Sequence, residues 1–503
     1  FEDDVQTLDP GMIVDMISIE VSEQLFLGLT DFDPKTYVAV PELANNWTVS
    51  DDGKTYRFDM RKDAVWTDGS PVTAHDIVWA VQRNIKPEIK SPYANMLYIL
   101  KNAKAINNRK IEDVSQIGVR AIEDYLIEFT LENPASYFPA MVGLWVYRPL
   151  PRNVIQKYPD TWTETDHFVS NGSYRLAIRE KGISLILRKN ERYFDVNKIA
   201  IPEVRYFVIP ESSVGLMLFK NDQLDILGGT YLNIMPSEIS MIQSDPVLSL
   251  NLHQVPQLCT YAYVFNTLLH PVDNPLVRKA ISAAIDKKIL CEVLYNGNQE
   301  PATTFTRHPV FGSVDPKEQL GISFNPKQAQ QWLAEAGYPD GKGFPEIELL
   351  FNTSEKHERA AKAIQTFLEH YLHIKIKLIS EEWLDYVEHM KQPHTPHLVR
   401  LGWCSDYPDA NNWLNELFHP THSKNYIGWD NKEFKELMEF AQRENNKEAR
   451  KKAYWRAEQI LCEEECAVLP LFFEIQHFLI SSRLQGWYNM ALGGQHIRDW
   501  YFE

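Results

Sequence analysis

The hydrophobic period of this chain changes part-way along, and no flexible linker marks the change. In the first third, apolar and polar residues alternate. Residues 54–60 (KTYRFDM) and 125–131 (YLIEFTL) read as half-buried strands, because successive strand side chains point to opposite faces. Residues 183–188 (ISLILR) form a more continuously apolar strand. Thr73 precedes 74–83 (AHDIVWAVQR), with Asp76 three positions on, the spacing of a capping box at a helix start. In the second half, apolar residues recur at helical spacing in 276–290, 328–336 and 360–372. A polar helix pair follows at 432–443 and 447–463, and strands are expected at 347–351 and 468–480. The run 337–343 (GYPDGKG) is all turn chemistry. Strands alternating with helices argue for α/β layers on a parallel or mixed sheet. With no repeat and no low-complexity segment, the domains are expected to join through short crossovers, and one domain can be assembled from separated segments.

Composition narrows the class. With 503 residues, a prior of about 150 residues per domain suggests roughly three domains. A hydrophobic fraction of 44% supports a sizeable core and excludes a disordered chain. Fifty-one basic against 68 acidic residues give a charge of −17, which disfavours nucleic acid and anionic membrane as partners. No apolar run approaches the roughly 18 residues of a membrane span. The chain opens on Phe1 rather than Met, which reads as a processed chain whose targeting segment is gone. The five cysteines (Cys259, Cys291, Cys404, Cys462, Cys466) are odd in number and show neither CxxC nor zinc spacing. Cys462 and Cys466 stand one helical turn apart, so they either bridge or remain two inert buried thiols.

Catalytic signatures are missing: no GxSxG, no GxxxxGK[ST], no HExxH and no GxGxxG after a strand. His370 with His373, or His394 with His397, could bring two imidazoles together, but neither pair has a third ligand nearby. No metal and no cofactor is expected. The densest polar–aromatic cluster is 400–413 (RLGWCSDYPDANNW). It joins Arg400 to two tryptophans, a tyrosine, and the carboxylates Asp406 and Asp409, while Pro408 disfavours helix in the residue before it. Such parts suit a charged, partly apolar ligand: Arg for a carboxylate, Asp for an ammonium, aromatics as walls. An ordinary loop whose Arg and Asp pair with each other has the same composition.

Six blocks in order carry a resemblance: 52–80 (DGKTYRFDMRKDAVWTDGSPVTAHDIVWA), 91–94 (SPYA), 170–176 (SNGSYRL), 274–290 (NPLVRKAISAAIDKKIL), 333–345 (LAEAGYPDGKGFP) and 402–409 (GWCSDYPD). On these the chain resembles the periplasmic solute-binding receptors of peptide ABC importers, extracellular solute-binding family 5. LCTYAYVFN (258–266), NTSEKH (352–357) and RLGWCSDY look most like its oligopeptide-binding members. The resemblance implies an α/β fold, a bilobal periplasmic-binding-protein clam shell with an additional α+β domain. One lobe would be 1–27, 168–256 and 472–503, the additional domain 28–167, and the second lobe 257–471, with ligand enclosed by hinge closure.

The resemblance also implies roles. Asp406 matches the aspartate that pairs with a peptide α-ammonium. Gly402 and Cys404 stand where main chain bonds the peptide like an added strand. Trp403, Trp383 and Tyr93 match pocket walls, and Arg400 and His357 match cations that meet the peptide carboxylate. Cys259 and Cys404 match a family disulfide, which implies an oxidising compartment. Two departures stand out: Val14 with Asp15 where some relatives place a ligand-contacting carboxylate, and Phe472 with Phe473 where relatives often carry tyrosines. They leave room for a narrower ligand, such as a cell-wall-derived peptide, glutathione or a metal chelate. The expected protein is a non-enzymatic receptor for short peptides, monomeric, serving a membrane-embedded ABC permease. It would reside in the periplasm, or on the outer face of the cytoplasmic membrane as a lipoprotein.

Overall fold

A computed structural model describes residues 1–503 except 296, 391, 393, 394 and 421–426, and the backbone only of residue 236. The chain forms two compact units, Phe1–Val255 with Gln476–Glu503, and Pro256–Ile475. It leaves the first unit within the strand Leu252–Phe265 and returns within Val468–Ile480, so one unit is assembled from the two ends of the sequence.

In the second unit, Val468–Ile480, Leu252–Phe265, Leu398–Cys404, Ile347–Asn352 and Ile376–Glu381 are neighbours in that order. The sheet is mixed. Ile347–Asn352 runs parallel to both Ile376–Glu381 and Leu398–Cys404, whereas Leu398–Cys404 runs antiparallel to Leu252–Phe265. The parallel pair needs a crossover, and the helix Glu355–Leu372 supplies it. Ala360, Ala361, Ile364, Leu368 and Leu372 form its buried stripe, packed on Ile347, Leu349 and Phe351. Each such Leu or Ile contributes on the order of 1.5–3 kcal/mol by leaving water.

The helix expected over 276–290 is instead two, Pro275–Ala283 and Lys287–Tyr295. Asp286 causes the break: its Oδ1 accepts from the amides of Lys288 and Ile289 at 3.0 and 3.1 Å, capping a new helix. The period continues through the break, so periodicity alone could not show it. The helix expected to 463 ends at Gln459 and continues as a π turn, Ile460–Glu464.

The first unit carries a four-stranded antiparallel sheet in the order Ala44–Val49, Thr55–Met60, Leu126–Thr130, Val119–Glu123. The alternation in 54–60 places Tyr56, Phe58 and Met60 inside, where Phe58 meets Phe129 edge-on at 5.8 Å. Thr73 and Asp76 cap the helix Ala74–Ile85, the Thr73 amide donating to Asp76 Oδ2 at 2.8 Å. Asp15 likewise caps Met16–Leu25 through Ser18, while Val14 is exposed.

The C-terminal tail is tied into this unit by buried polar groups. Glu20 Oε2 accepts from the Gln495 amide at 2.7 Å, and Glu20 Oε1 accepts from Tyr231 and Tyr206 at 3.0 and 3.3 Å. Burial pushes the Glu20 carboxyl up from 4.5 to about 7, against the pull of these donors. Because the folded-state value lies above the unfolded one, this group's stabilisation is complete below about pH 4.5 and is lost as pH rises through about 7. Glu20→Gln should therefore flatten the fall in stability between pH 5 and 8, by at most about 1.4 kcal/mol per pH unit. Urea midpoints across that range measure it; a variant whose profile parallels the parent would show that Glu20 does not titrate there.

Candidate functional site

The strand Leu398–Cys404 sets the geometry of the site. Its register opposite Leu252–Phe265 pairs Arg400 with Tyr263, Gly402 with Tyr261, Trp403 with Thr260 and Cys404 with Cys259. The Ser405 amide donates to Leu258 O at 2.9 Å, which fixes the phase of the ladder. Residues 401, 403 and 405 therefore turn their main-chain groups to that neighbour, and 400, 402 and 404 turn theirs to the opposite edge. On that edge the parallel strand is paired only at Leu398 and Val399. The Tyr386 hydroxyl donates to Arg400 O. The main-chain groups of Gly402 and Cys404 face a stretch of edge that no described strand covers.

Arg400, Gly402 and Cys404 share one face of the sheet with Tyr263, Tyr261 and Cys259. A Cβ at position 402 would stand 2.5 Å from Arg400 Nη2, so the glycine is what lets the guanidinium fold back along the strand. It lies over Tyr261, 5.0 Å from the ring centroid. Arg400 Nε is buried and has no hydrogen-bond partner among the described residues. Cys259 and Cys404 are joined by a disulfide, and Cys291, Cys462 and Cys466 are free and buried. Burial raises all three thiols, leaving them unreactive.

Around Tyr261 the site is cationic and aromatic. Phe472 stacks on it at 4.7 Å. His357 Nδ1 bonds the Tyr261 hydroxyl at 3.0 Å. Burial, with Arg400 and Lys356 nearby, pushes its pKa from 6.5 to about 3, so the imidazole is neutral. Its sequence neighbour Lys356 is the second cation, 5.5–5.9 Å from the rings of Tyr261, Tyr295 and Phe472 and paired with Glu474 at 3.0 Å. Sequence reasoning missed Lys356, although it lies in the NTSEKH block beside the histidine it named.

Beyond Cys404, Asn412 organises the turn. Its Oδ1 accepts from the Asp406 amide at 3.0 Å and from Trp403 Nε1 at 3.1 Å, and its Nδ2 donates to Asp406 Oδ2 at 3.3 Å. Asn412 was another omission, one legible only once a helix starts at Ala410. Asp409 is not an ammonium site: it caps that helix through Asn411 and pairs with buried Arg450 at 2.7 Å. Arg450, rather than Arg400, is thus the arginine that pairs within this region. Trp383 opens the helix Trp383–Met390, 56% exposed and stacked on Tyr386 at 5.8 Å. Tyr93 belongs to the first unit, where its ring meets Trp145 edge-on at 5.1 Å. Its part in ligand binding rests on the SPYA block alone.

The described histidines of the two pairs have other partners. His373 lies 3.5 Å from Asp340, His370 packs on Tyr371, His397 accepts from the Glu348 amide, and His394 lies outside the described residues. Among the described residues one group has ligand spacing for a metal, Glu23 with Asp31 and His496. Arg148 and Arg498 already occupy its carboxylate oxygens.

An open strand edge beside the half-buried Arg400 and Lys356 is a binding geometry, and comparison supplies its lineage. The family model of the bacterial extracellular solute-binding proteins, family 5, matches residues 38–425. The chain belongs to that family. Its members are binding proteins, so this family 5 protein is a receptor and not an enzyme. The oligopeptide-binding protein OppA of Bacillus subtilis (strain 168) is 30% identical over 506 residues, 99% of this chain and 91% of that protein. The solved structure of MppA, a periplasmic murein tripeptide binding protein in an unliganded open form, superposes with a TM-score of 0.87 at 28% identity, covering 100% of this chain and 96% of that one. The OppA of Haemophilus influenzae in complex with RPPGFSPFR gives 0.75 at 26% identity, covering 100% and 97%. The α/β fold read from the sequence is thus that of family 5.

Proposed function

We propose that this protein captures short peptides as a strand added to the edge of residues 400–404 and delivers them to an ABC importer. The observation that carries this reading is the edge itself, with Arg400 at one end and Asp406 just past the other. A peptide offers a main chain to pair and opposite charges at its two ends. Five strand residues span roughly 13 Å at about 3.3 Å per step, the reach of a peptide of about four residues. Asp406 takes the α-ammonium, Arg400 takes the carboxylate with Lys356 nearby, and Trp403 and Trp383 flank the side chains. Gly402 and Cys404 supply the main-chain bonds. The peptide names of the relatives support the same reading.

To this proposal belong a monomeric state, residence in the periplasm or at the outer face of the cytoplasmic membrane, and a membrane-embedded permease as partner. It also includes the division of the chain into 1–27, 168–256 and 472–503, an additional domain 28–167, and 257–471. Native mass spectrometry of gently purified protein should show co-purified peptides of about two to five residues. Asp406→Asn should weaken peptides with a free amino terminus tenfold or more, about 1.5–3 kcal/mol for a bond to a charged group, while N-acetylated peptides change little. Equal affinity of parent and variant, measured calorimetrically, would remove Asp406 from the site.

A further inference from the structure

The uncovered edge of Leu398–Cys404 has a definite end. Arg400, Gly402 and Cys404 turn their main-chain groups toward it, but those of Arg400 are already engaged. Leu350 stands opposite Val399 in the parallel ladder, and a residue so placed bonds the main chain on either side of its partner, here Leu398 and Arg400. That takes the Arg400 amide. The Arg400 carbonyl accepts from the Tyr386 hydroxyl. The edge that no described strand takes is therefore Gly402, which is half-buried, and Cys404, which is exposed.

Tyr386 is held in that position by its surroundings. It is 2% exposed, within the helix Trp383–Met390, and its ring stacks on Trp383 at 5.8 Å. Near the far end of that helix, His389 Nδ1 lies 2.9 Å from Glu381 Oε1, at the end of the strand Ile376–Glu381. The Arg400 side chain marks the same limit. Its Nη2 stands 2.5 Å from where a Cβ of residue 402 would be, so the guanidinium lies beside Gly402 rather than beyond Arg400. Main chain and side chain of Arg400 thus both end the usable edge at Gly402.

We infer that Tyr386 determines ligand length: it closes the strand edge so that a peptide's main chain pairs at its first and third residues and no further, which makes three residues the best-fitting length. The inference rests on the peptide-capture reading and its polarity, amino terminus toward Asp406 and carboxylate toward Arg400. That polarity is antiparallel to residues 400–404, and in an antiparallel ladder the doubly bonded pairs recur at every second residue. With residue one of the ligand opposite Cys404, residue three falls opposite Gly402, its carboxylate level with the guanidinium. Residue five would fall opposite Arg400, where Tyr386 holds the acceptor it needs.

Alanine peptides separate length from side-chain preference. Calorimetry should show trialanine binding at least about tenfold tighter than pentaalanine, whose carboxylate is carried past the guanidinium. N-methylation of residue three should weaken pentaalanine about threefold to tenfold, as loss of one main-chain bond implies, whereas N-methylation of residue five should change nothing. Tyr386→Ala removes ring and hydroxyl together. It should raise pentaalanine relative to trialanine about threefold to tenfold and make pentaalanine sensitive to N-methylation at residue five. Taking the ratio cancels any weakening common to both peptides, such as that from a loosened Trp383. A variant ratio equal to the parent's, equal affinity of the parent for both lengths, or a parent already sensitive at residue five would overturn the role of Tyr386 and leave peptide capture standing. Indifference to N-methylation at residue three, or no binding of either peptide at millimolar concentration, would overturn strand addition itself and the role of Tyr386 with it. If Tyr386→Ala does not fold, the residue-five result in the parent still decides.

Discussion

Replacing both Cys259 and Cys404 by serine should lower stability by as much as about 5 kcal/mol. The bridge joins residues 145 apart in sequence, and loop-closure entropy rises with the logarithm of that separation. Native strain and residual structure in the unfolded chain pull measured values below this ceiling, so a loss of 2–5 kcal/mol is the working expectation. The cysteines face each other across paired strands, so their serine replacements fit without crowding. Stability should therefore fall with little change in native structure. A second consequence is functional. The bridge fastens Cys404, the last residue of the strand edge, to its neighbour, and Asp406 follows two residues later. The double serine variant should bind peptide more weakly even where it is fully folded, because the edge must then be ordered on binding. Urea denaturation with and without reductant gives the first number. Calorimetry at low temperature gives the second, and an unchanged urea midpoint would show that the bridge contributes nothing.

Arg498→Ala should cost about 3–5 kcal/mol, for a different reason. Arg498 lies between two buried carboxylates, bonding Asp31 and, at 2.9 Å, Glu42. His496 stands 3.2 Å from Asp31, and Arg148 pairs with Glu23 at 2.5 Å in the same network. Burial alone would raise the Asp31 carboxyl, but His496 and Arg498 outweigh it and hold it well below the usual carboxylate range. Burial and the neighbouring Asp31 push Glu42 the other way, to about 7. Near neutrality, then, Arg498 chiefly compensates Asp31, and its removal leaves that charge with His496 alone. Adding Asp31→Asn to Arg498→Ala should recover part of the loss, because the carboxylate charge left without its guanidinium is then gone. A loss below about 1 kcal/mol for Arg498→Ala would mean that water or rearrangement replaces the guanidinium.

Elements written as local patterns were legible. The capping box at Thr73 and Asp76 and the alternation in 54–60 depend only on neighbours in sequence, and the structure has both. The limits were equally physical. Asp286 interrupts 276–290 because an aspartate can cap a new helix without disturbing the apolar period on either side. At the proposed site, Arg400 and Asp406 were named through their motif, and Asp409 was grouped with them by composition. Only the approach of Arg450, 41 residues later, shows that Asp409 is a capping aspartate compensated within the fold.

His357 shows the same boundary from the side of charge. Its identity and its block named it, but its protonation follows from burial and from the Arg400 and Lys356 cations, which no single segment contains. The sequence by itself determined the alternation of strands and helices, the family blocks, and the residues at which charge could meet a ligand. Tertiary structure alone decided which of those charges are compensated, which strand edge is left uncovered, and that the two ends of the chain form one unit. Those are properties of contacts between residues far apart in sequence, where burial and pairing, rather than residue type, set the energy.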